Sequence, residues 1–458
     1  MASPQARWWE RYDDPVLSAL IERALRKSYT LRSRFASIRR AEALRREASA
    51  ARWPTVNAQL AVSRNRSVGF FGANVADRVD LSVPIAYEVD LFARFASEAH
   101  AREDELRATA LVMESAAISL SAEVAEAWYD VVTARARVRA LEVQRETNAT
   151  YLALVKLRYR RGLGEAVDVR QQEQQVEGTL ARLAEARGRL FSAGQQLAIL
   201  LGDTAIARAG RSDAPRDPPV AESAPDAAEG DGLPELGAPP AAGVPADLVA
   251  SRPDVRAARH RIEAADRRIG SLLAEQLPSL RVEFLPGWQW FQTDARSQAP
   301  DGSSVGIPPA QGFVWAGSAT MNVPLFDGLA ALARTNAQRA RLDEQIENFA
   351  ALLLDALMEV EGALVLERRE RERLAHLEAQ ARAADSALEA SRARYRAGLS
   401  DFLPVLTALQ SAQSTELQIL DSKRQVLSQR IQLHRALGGG WAADLQAPEP
   451  TRVRGERS

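Results

Sequence analysis

The residues with the most obvious chemical potential form a possible nucleophile motif, Gly302-Ser303-Ser304-Val305-Gly306, which matches the pattern G-x-S-x-G. In hydrolases this pattern places the serine on a sharp turn between a strand and a helix, with histidine and acid partners nearby. Here the motif lies in a predicted loop between two strands. We therefore interpret Ser304 as a loop residue and not as a catalytic nucleophile.

The four histidines are the other candidates for catalysis or metal binding: His100, His260, His376 and His434. They are scattered through predicted helices, and none has a paired ligand at the i, i+4 spacing of helical zinc sites. The sequence contains no cysteine, which excludes thiol catalysis, thiolate metal sites and disulfides for the residues given. We predict no catalytic residue, no metal site and no cofactor.

A repeated hexapeptide is the most informative pattern in the chain. Arg158-Tyr159-Arg160-Arg161-Gly162-Leu163 returns 236 residues later as Arg394-Tyr395-Arg396-Ala397-Gly398-Leu399. Leu201-Gly202 returns at the same spacing as Leu437-Gly438. This spacing indicates a tandem duplication of half the chain. We expect each glycine to end a helix in the left-handed conformation, and Ser400 to cap the helix after the second turn.

Each copy reads helix, strand pair, very long helix, turn and helix, since the apolar period changes between 3.6 and 2 along it. The first copy covers residues 8–202, with strands within about 55–90, a long helix at about 94–161 and a return helix at about 165–201. The second covers 247–441, with strands within about 279–324, a long helix at about 329–397 and a return helix at about 401–437. A linker rich in Pro, Ala, Gly and acids (203–246) separates them, and 442–458 are predicted to be a disordered tail.

Composition narrows the class of protein. The 59 basic and 60 acidic residues nearly cancel, which gives no reason to expect a nucleic acid partner. No run of 18 apolar residues is present, so we expect no membrane-spanning helix. The start, Met1-Ala2-Ser3-Pro4, lacks the features of a signal peptide. Either the protein is cytosolic or its export signal lies outside the sequence given.

The alternation in the predicted strands favours a barrel with lipid outside and water inside, because long, narrow helices offer a sheet no compact core. The expected lumen-facing residues are Arg78, Asp80, Arg281 and Glu283. The expected aromatic girdle residues are Tyr87, Trp288, Trp290 and Trp315. A closed barrel needs about eight strands or more. Four strands per chain therefore require at least a dimer, and a trimer would give twelve; periodicity does not choose between them.

The order of elements and several short motifs resemble the TolC-like outer membrane efflux proteins, in particular the NodT/OprM-like lipoproteins. The motifs that carry the resemblance are Val244-Pro245-Ala246-Asp247-Leu248, Ser251-Arg252-Pro253-Asp254-Val255, Glu88-Val89-Asp90-Leu91-Phe92, Val323-Pro324-Leu325-Phe326-Asp327-Gly328 and Ala436-Leu437-Gly438-Gly439-Gly440-Trp441. The resemblance covers about residues 8 to 441. Each motif is weak alone, but their order and duplication are specific.

The resemblance implies a mixed α and β membrane fold. It implies a homotrimer that forms a twelve-stranded transmembrane β-barrel, continued by an α-helical barrel of coiled-coil hairpins in the periplasm. It implies an exit duct in the outer membrane of a Gram-negative bacterium, in contact with outer membrane lipid. Its partners would be a periplasmic adaptor (membrane fusion protein) and an inner-membrane transporter of the RND type. Family lipoproteins begin with a signal peptide and a lipidated cysteine. The sequence given has neither, and we expect both to lie outside it. The rival interpretation is a soluble structural coiled-coil or scaffold protein.

The resemblance also assigns sites. It implies that the two repeated turns form the periplasmic tip, where the adaptor docks and the tunnel opens. The expected tip residues are Arg158, Tyr159, Arg160, Gly162, Leu163, Arg394, Tyr395, Arg396, Gly398 and Leu399. We expect the tyrosines and nearby arginines to hydrogen-bond between helices and hold the tip shut, with one hairpin moving and the other docking. Some relatives place an Asp near the tunnel constriction where this chain has Thr407; an aliphatic constriction around Leu403 and Leu406 is the expected substitute.

Overall fold

The structure, a computed structural model, describes residues 7–69, 72–202, 232–240, 251–294, 296–298, 304–438, 441–442 and 445. A 3-10 turn at Trp8–Tyr12 precedes helices α1 (Pro15–Lys27) and α2 (Tyr29–Ala50). Asp14 caps α1, because its carboxylate accepts hydrogen bonds from the backbone amides of Val16 and Leu17, both at 2.9 Å. The periodicity suggested one helix from Pro15 to about Arg52, but Ser28 divides it.

The remaining five helices include two pairs of equal length. Their bounds are α3 (Arg94–Arg160), α4 (Ala166–Leu200), α5 (Pro253–Ala274), α6 (Ala330–Arg396) and α7 (Leu403–Leu437). Both long helices, α3 and α6, have 67 residues, and both return helices, α4 and α7, have 35. We call α3–α4 the first hairpin and α6–α7 the second hairpin. The duplication inferred from the hexapeptide is therefore visible as two hairpins with helices of equal length.

The strands follow the same duplicated order. Their bounds are β1 (Thr55–Val56), β2 (Gln59–Gly69), β3 (Gly72–Ser82), β4 (Ile85–Val89), β5 (Ser279–Thr293), β6 (Arg296–Gln298), β7 (Ser304–Gly306) and β8 (Ala310–Asn322). The chain as a whole divides into two compact units. Unit 1 comprises Met1–Ala36, Ala110–Arg256 and Ala350–Ser458, and unit 2 comprises Ser37–Thr109 and Ala257–Phe349. Each unit draws on both copies, so the compact units do not follow the repeat boundary.

The larger antiparallel sheet of unit 2 joins the two expected strand pairs. β5 pairs with β3, where Trp288 lies opposite Leu81, and with β4, where Val282 lies opposite Tyr87. β2 and β1 pair with β3 and β4 on one side, and β8 pairs with β5 on the other. The sheet therefore has four long strands, namely β1–β2, β3–β4, β5 and β8. Within the described residues its two edges, β1–β2 and β8, have no further partner.

Unit 1 packs the N-terminal segment onto the helices. Trp9 is buried and meets Trp441 edge to face, with ring centroids 4.7 Å apart. Trp128 of α3 donates from Nε1 to Asp14 Oδ2 at 2.8 Å. Ala442, the first residue of the predicted tail, is also buried in this core. Residues 443–444 and 446–458 of that tail lie outside the described residues.

Part of the predicted linker is fixed to the helices of unit 1. Residues 232–240 are described, and the backbone carbonyl of Gly237 accepts hydrogen bonds from Arg371 at 2.9 Å and Arg430 at 3.0 Å. Both arginines are also bound to the buried Glu367 carboxylate. This stretch is therefore an anchored segment and not a free surface linker.

One helix, α3, contains a stretch whose length and composition would allow it to cross a membrane. Polar residues interrupt the stretch, so it is not an unbroken run of 18 apolar residues. More than half of it is buried inside the protein. Its apolar side chains, such as Val124 and Val131, contribute to the core of unit 1.

Candidate functional site

The charged residues expected to face a lumen share one face of the unit 2 sheet. Asp80 lies opposite Gln289 of β5, and Gln289 Nε2 donates to Asp80 Oδ1 at 2.7 Å. Arg78 contacts the same carboxylate at 2.7 Å. On β5, Arg281 Nε and Glu283 Oε1 lie 2.6 Å apart, on the Gln289 face because side chains alternate along a strand.

The aromatic residues expected in a girdle share the opposite face. Trp288 and Trp290 lie opposite Leu81 and Val79, and Tyr87 lies opposite Val282. Trp315 lies opposite Pro286, at the middle of β5. The register therefore does not place Trp315 near a strand end, where an interfacial girdle would lie. Trp288, Trp315, Leu60 and Val62 are exposed in the chain.

The residues considered for catalysis or metal binding are accounted for by simpler contacts. Ser304 begins the short strand β7, which pairs with β6, while Gly302 and Ser303 lie outside the described residues. His260 Nδ1 lies 2.9 Å from Glu263 Oε2 and 3.7 Å from Asp104 Oδ1. These three could approach a common ion. However, Arg267 Nε already lies 2.6 Å from Asp104 Oδ2, so ion pairs explain the group.

The two repeated turns have the same backbone. Gly162 and Gly398 adopt left-handed φ angles of 71° and 72°. The amide of Leu163 donates to the Arg158 carbonyl, and the amide of Leu399 donates to the Arg394 carbonyl, each at 2.9 Å. These are the hydrogen bonds of a Schellman motif, which ends a helix where glycine provides the positive φ.

The helices that follow the turns begin differently. Glu165 caps α4 and forms a capping box with Asp168. α7 begins after Phe402, which provides no side-chain cap. Our expectation that Ser400 caps this helix is wrong, because Ser400 lies two residues too early. The buried ring of Phe402 fixes the start of α7 by packing.

The second tyrosine joins the two hairpins. The Arg158 guanidinium of α3 lies over the Tyr395 ring of α6, with Cζ 4.3 Å from the ring centroid. The Tyr395 ring also packs 5.6 Å from Phe402. Nearby, Arg392 of α6 donates a short hydrogen bond to the Tyr151 hydroxyl of α3. At Tyr395 the observed link is therefore a cation–π contact through the ring face, rather than the hydrogen bond we expected.

The first tyrosine is in a different environment. Tyr159 is 49% exposed, whereas Tyr395 is 6% exposed and belongs to a buried cluster with Val155 and Val405. The other expected tip residues are also exposed, apart from the half-buried Arg158: they are Arg160, Gly162, Leu163, Arg394, Arg396, Gly398 and Leu399.

The expected constriction residues separate into two groups. Leu403 is 53% exposed and Thr407 is exposed, one helical turn apart on α7. Leu406 is only 4% exposed and packs in the tip cluster with Val405 and Leu409. The side chain of Leu406 therefore lies on the buried face of α7, whereas Leu403 and Thr407 are open to solvent in the chain.

A layer of buried amides was missed in the sequence. Gln413 of α7 donates from Nε2 to Asn148 Oδ1 at 3.1 Å, and Asn148 of α3 donates from Nδ2 to Thr179 Oγ1 of α4 at 2.9 Å. Gln172 donates to the Asn148 carbonyl at 2.9 Å. Polar residues in an otherwise apolar seam were the available signal. Tyr151 and Arg392 were missed because neither lies within the repeated hexapeptide.

Comparison with known proteins gives a consistent set of relatives. The family model described as "Outer membrane efflux protein" matches residues 20–203 and 244–439. The solvent efflux pump outer membrane protein SrpC of Pseudomonas putida is 27% identical over 450 residues, covering 96% of this chain and 88% of that protein. Outer membrane protein OprJ of Pseudomonas aeruginosa is 29% identical over 442 residues, covering 95% and 86%.

Solved structures with the same fold cover almost the whole chain. A membrane protein from Pseudomonas aeruginosa is 27% identical, with a TM-score of 0.81 over 98% of this chain and 97% of that chain. The outer membrane protein VceC of Vibrio cholerae, at 23% identity, has a TM-score of 0.80 over 95% and 98%.

Proposed function

This chain belongs to the outer membrane efflux protein family, and from that premise we propose that it acts as a homotrimer whose passage is controlled at the tips of its helical hairpins. As a family member it is an outer membrane efflux channel of a Gram-negative bacterium, the exit duct of an efflux system. The family is a transport component and not an enzyme family. Membership also sets aside the soluble scaffold interpretation.

The observation that carries the proposal is the unit 2 sheet, which has an exposed apolar face and two unpaired edges among the described residues. Unpaired backbone groups are costly in lipid, so a membrane sheet must close on itself. Four strands cannot close alone, whereas three copies provide twelve. In the proposed barrel, Arg78, Asp80, Arg281 and Glu283 face the water-filled lumen, and Tyr87, Trp288, Trp290 and Trp315 face lipid.

Neighbouring residues on β2 provide a test of this barrel. Val62 lies opposite Val79 on the apolar face, and Ala61 lies opposite Asp80 on the polar face. Arginine at a lipid-facing position costs about 2–4 kcal/mol near the membrane midplane. We expect Val62→Arg to abolish insertion, while Ala61→Arg inserts and still conducts in planar bilayers. A wild-type protein that is a water-soluble monomer without conductance would contradict the proposal.

We propose that the contact between Arg158 and Tyr395 holds the tip closed. It joins α3 of the first hairpin to α6 of the second hairpin, close to both turns, and Tyr395 is desolvated there. The remaining tip surface would contact the periplasmic adaptor, and an inner-membrane transporter of the RND type would supply the energy. The proposed contact residues are Tyr159, Arg160, Gly162, Leu163, Arg394, Arg396, Gly398 and Leu399.

The duplication provides a matched control for the tip. Arg158 and Arg394 occupy the same position in the two copies, but the half-buried Arg158 covers Tyr395 while Arg394 is exposed. We expect Arg158→Met to increase the single-channel conductance of the isolated channel several-fold, because the cation–π contact is lost. Arg394→Met should leave it unchanged. Equal conductance changes in the two variants would exclude the Arg158–Tyr395 contact as the closing element.

A further inference from the structure

The first part of α7 lacks charge. From Phe402 to Thr415 there is no ionisable side chain, although 26% of the residues in the chain are charged. Part of this stretch is buried, where apolar residues are expected. Five of its residues, however, are exposed: Pro404 in the first turn and, at spacings of four, three and four, Leu403, Thr407, Gln410 and Ser414. These spacings place Leu403, Thr407, Gln410 and Ser414 along one face of the helix, and we call this face the neutral stripe.

The other faces of α7 are already occupied within unit 1. Val405, Leu406 and Leu409 pack in the tip cluster. Gln413 bonds to Asn148 of α3, and Gln380 Nε2 of α6 donates to Thr415 Oγ1 at 3.2 Å. The neutral stripe is therefore the face of α7 that remains when its contacts with the rest of the chain are made.

The polar side chains of the neutral stripe are uncharged and form hydrogen bonds within the chain. The Thr407 hydroxyl donates to the Leu403 carbonyl at 3.0 Å, which leaves the threonine methyl group at the surface. Gln410 Nε2 donates to Gln175 Oε1 of α4 at 2.9 Å. The stripe therefore offers aliphatic surface, hydroxyl groups and an amide, but no fixed charge.

The first copy differs in this respect. The positions of α4 that match the neutral stripe are Val167, Gln171, Gln174 and Gly178, and all four are uncharged. However, Arg170 and Glu177 are exposed and lie three residues after Val167 and Gln174, on the same side of α4. That side of α4 therefore carries charges, as a solvated helix face ordinarily does. The exclusion of charge is specific to α7, and a merely hydrated surface does not require it.

We propose that the neutral stripe of α7 lines the periplasmic mouth of the duct and admits organic solutes without selection by the sign of their charge. This inference rests on the proposed function, in which the turns at Gly162 and Gly398 form the inner end of a channel. Fixed charges in a narrow, low-dielectric passage attract one sign of ion and exclude the other. A neutral mouth passes uncharged, zwitterionic, cationic and anionic molecules alike.

The absence of cysteine makes a direct test possible, because one introduced thiol is the only thiol in the chain. We would place cysteine singly at residues 403, 407, 410 and 414, and insert each channel in a planar bilayer. The ratio of cation to anion permeability would be measured before and after adding a positively or a negatively charged thiol reagent. Each unlabelled channel is its own control, so the comparison does not depend on folding differences.

A matched control lies on α6. Ser386 is exposed and lies as far before Gly398 as Gln410 lies after it. We expect a permeability ratio near one in wild type, and labelling at the stripe to shift it about threefold or more, in opposite directions for the two reagents. Labelling Ser386→Cys should leave the ratio unchanged. Thr407→Asp should reproduce the shift caused by the negative reagent.

Two results would overturn the inference while leaving the channel function intact. One is a wild-type channel that conducts with strong preference for one sign of ion. The other is a conducting channel whose permeability ratio does not respond to labelling at any stripe position. If neither wild type nor any variant conducts, the proposed function itself fails, and the inference fails with it.

Discussion

The two hairpins share a turn sequence, a turn geometry and helix lengths, yet their tips are packed differently. In the second hairpin, Tyr395 is buried beneath Arg158 and against Phe402. In the first hairpin, the matching Tyr159 remains 49% exposed. The difference teaches that a duplicated motif can keep its local fold while its side chains take different roles. It favours the second hairpin as the element held closed and the first as a surface open to a partner.

The largest expected effect separates the two tyrosines. Tyr395→Ala should lower the free energy of unfolding by about 3 kcal/mol, because truncating a buried aromatic ring leaves a cavity. Tyr159→Ala should change it by no more than about 0.5 kcal/mol, as for most exposed residues. Denaturant unfolding monitored by circular dichroism would measure both. Similar losses in the two variants would mean that the tips are packed alike.

The next largest effect is a pH dependence of stability, and it concerns the ends of α4 and α7 that lie away from the turns. His434 of α7 is buried against Trp8, with ring centroids 5.3 Å apart, whereas Ala198 occupies the matching position on α4. Burial, with further contributions from Arg11 and Arg430, lowers the pKa of His434 to about 4 from 6.5. The folded protein thus binds the proton less tightly than the unfolded chain. Its contribution to stability is complete above pH 6.5 and is lost as the pH falls toward 4.

Across that pH window, the lowered pKa of His434 decreases the free energy of unfolding by about 3 kcal/mol as the pH falls. His434→Phe keeps a ring against Trp8 but cannot be protonated. We therefore expect the melting temperature of this variant to fall less steeply than that of wild type between pH 6.5 and 4. Ala198→Ser, a small change at the matched buried site, should leave the wild-type slope in place. If the melting temperatures of wild type and His434→Phe fall equally steeply with pH, protonation of His434 does not cause the loss of stability.

The glycines at the two turns should behave alike. A Cβ at either Gly162 or Gly398 would meet no atom within 4 Å, so alanine there introduces only the strain of a left-handed backbone. We expect Gly162→Ala and Gly398→Ala each to cost about 1–2 kcal/mol, and asparagine to be better tolerated at both. Unfolding free energies that differ by more than about 1 kcal/mol would show that the backbone, as well as the side chains, distinguishes the hairpins.

The smallest effect concerns the hydroxyl group of Tyr395. Since Arg158 contacts the ring face, Tyr395→Phe should keep both the packing and the cation–π contact. We expect its single-channel conductance to equal that of wild type. Its free energy of unfolding should stay within about 0.5 kcal/mol of the wild-type value. A conductance increase comparable to that of Arg158→Met would restore the hydroxyl as the closing group.

Sequence alone determined the features that depend on neighbouring residues. The positive φ at Gly162 and Gly398, the end points of the long helices and the alternation of strand faces follow from local patterns. The separation of Arg78 and Asp80 from Trp288 is an example, because period-two alternation decides the face of a strand before its partners are known. The duplicated turns and the family were readable for the same reason.

Only the tertiary structure decided which equivalent residues become buried. Tyr395 and Leu406 are covered, and Tyr159 and Thr407 are exposed, although the resemblance assigned all four to the tip or the tunnel. The joining of the two strand pairs through β5 and the anchoring of Gly237 were likewise absent from the local pattern. Burial depends on which distant segment reaches a given face, and that is set by packing across hundreds of residues rather than by the few residues that define a helix, a strand or a turn.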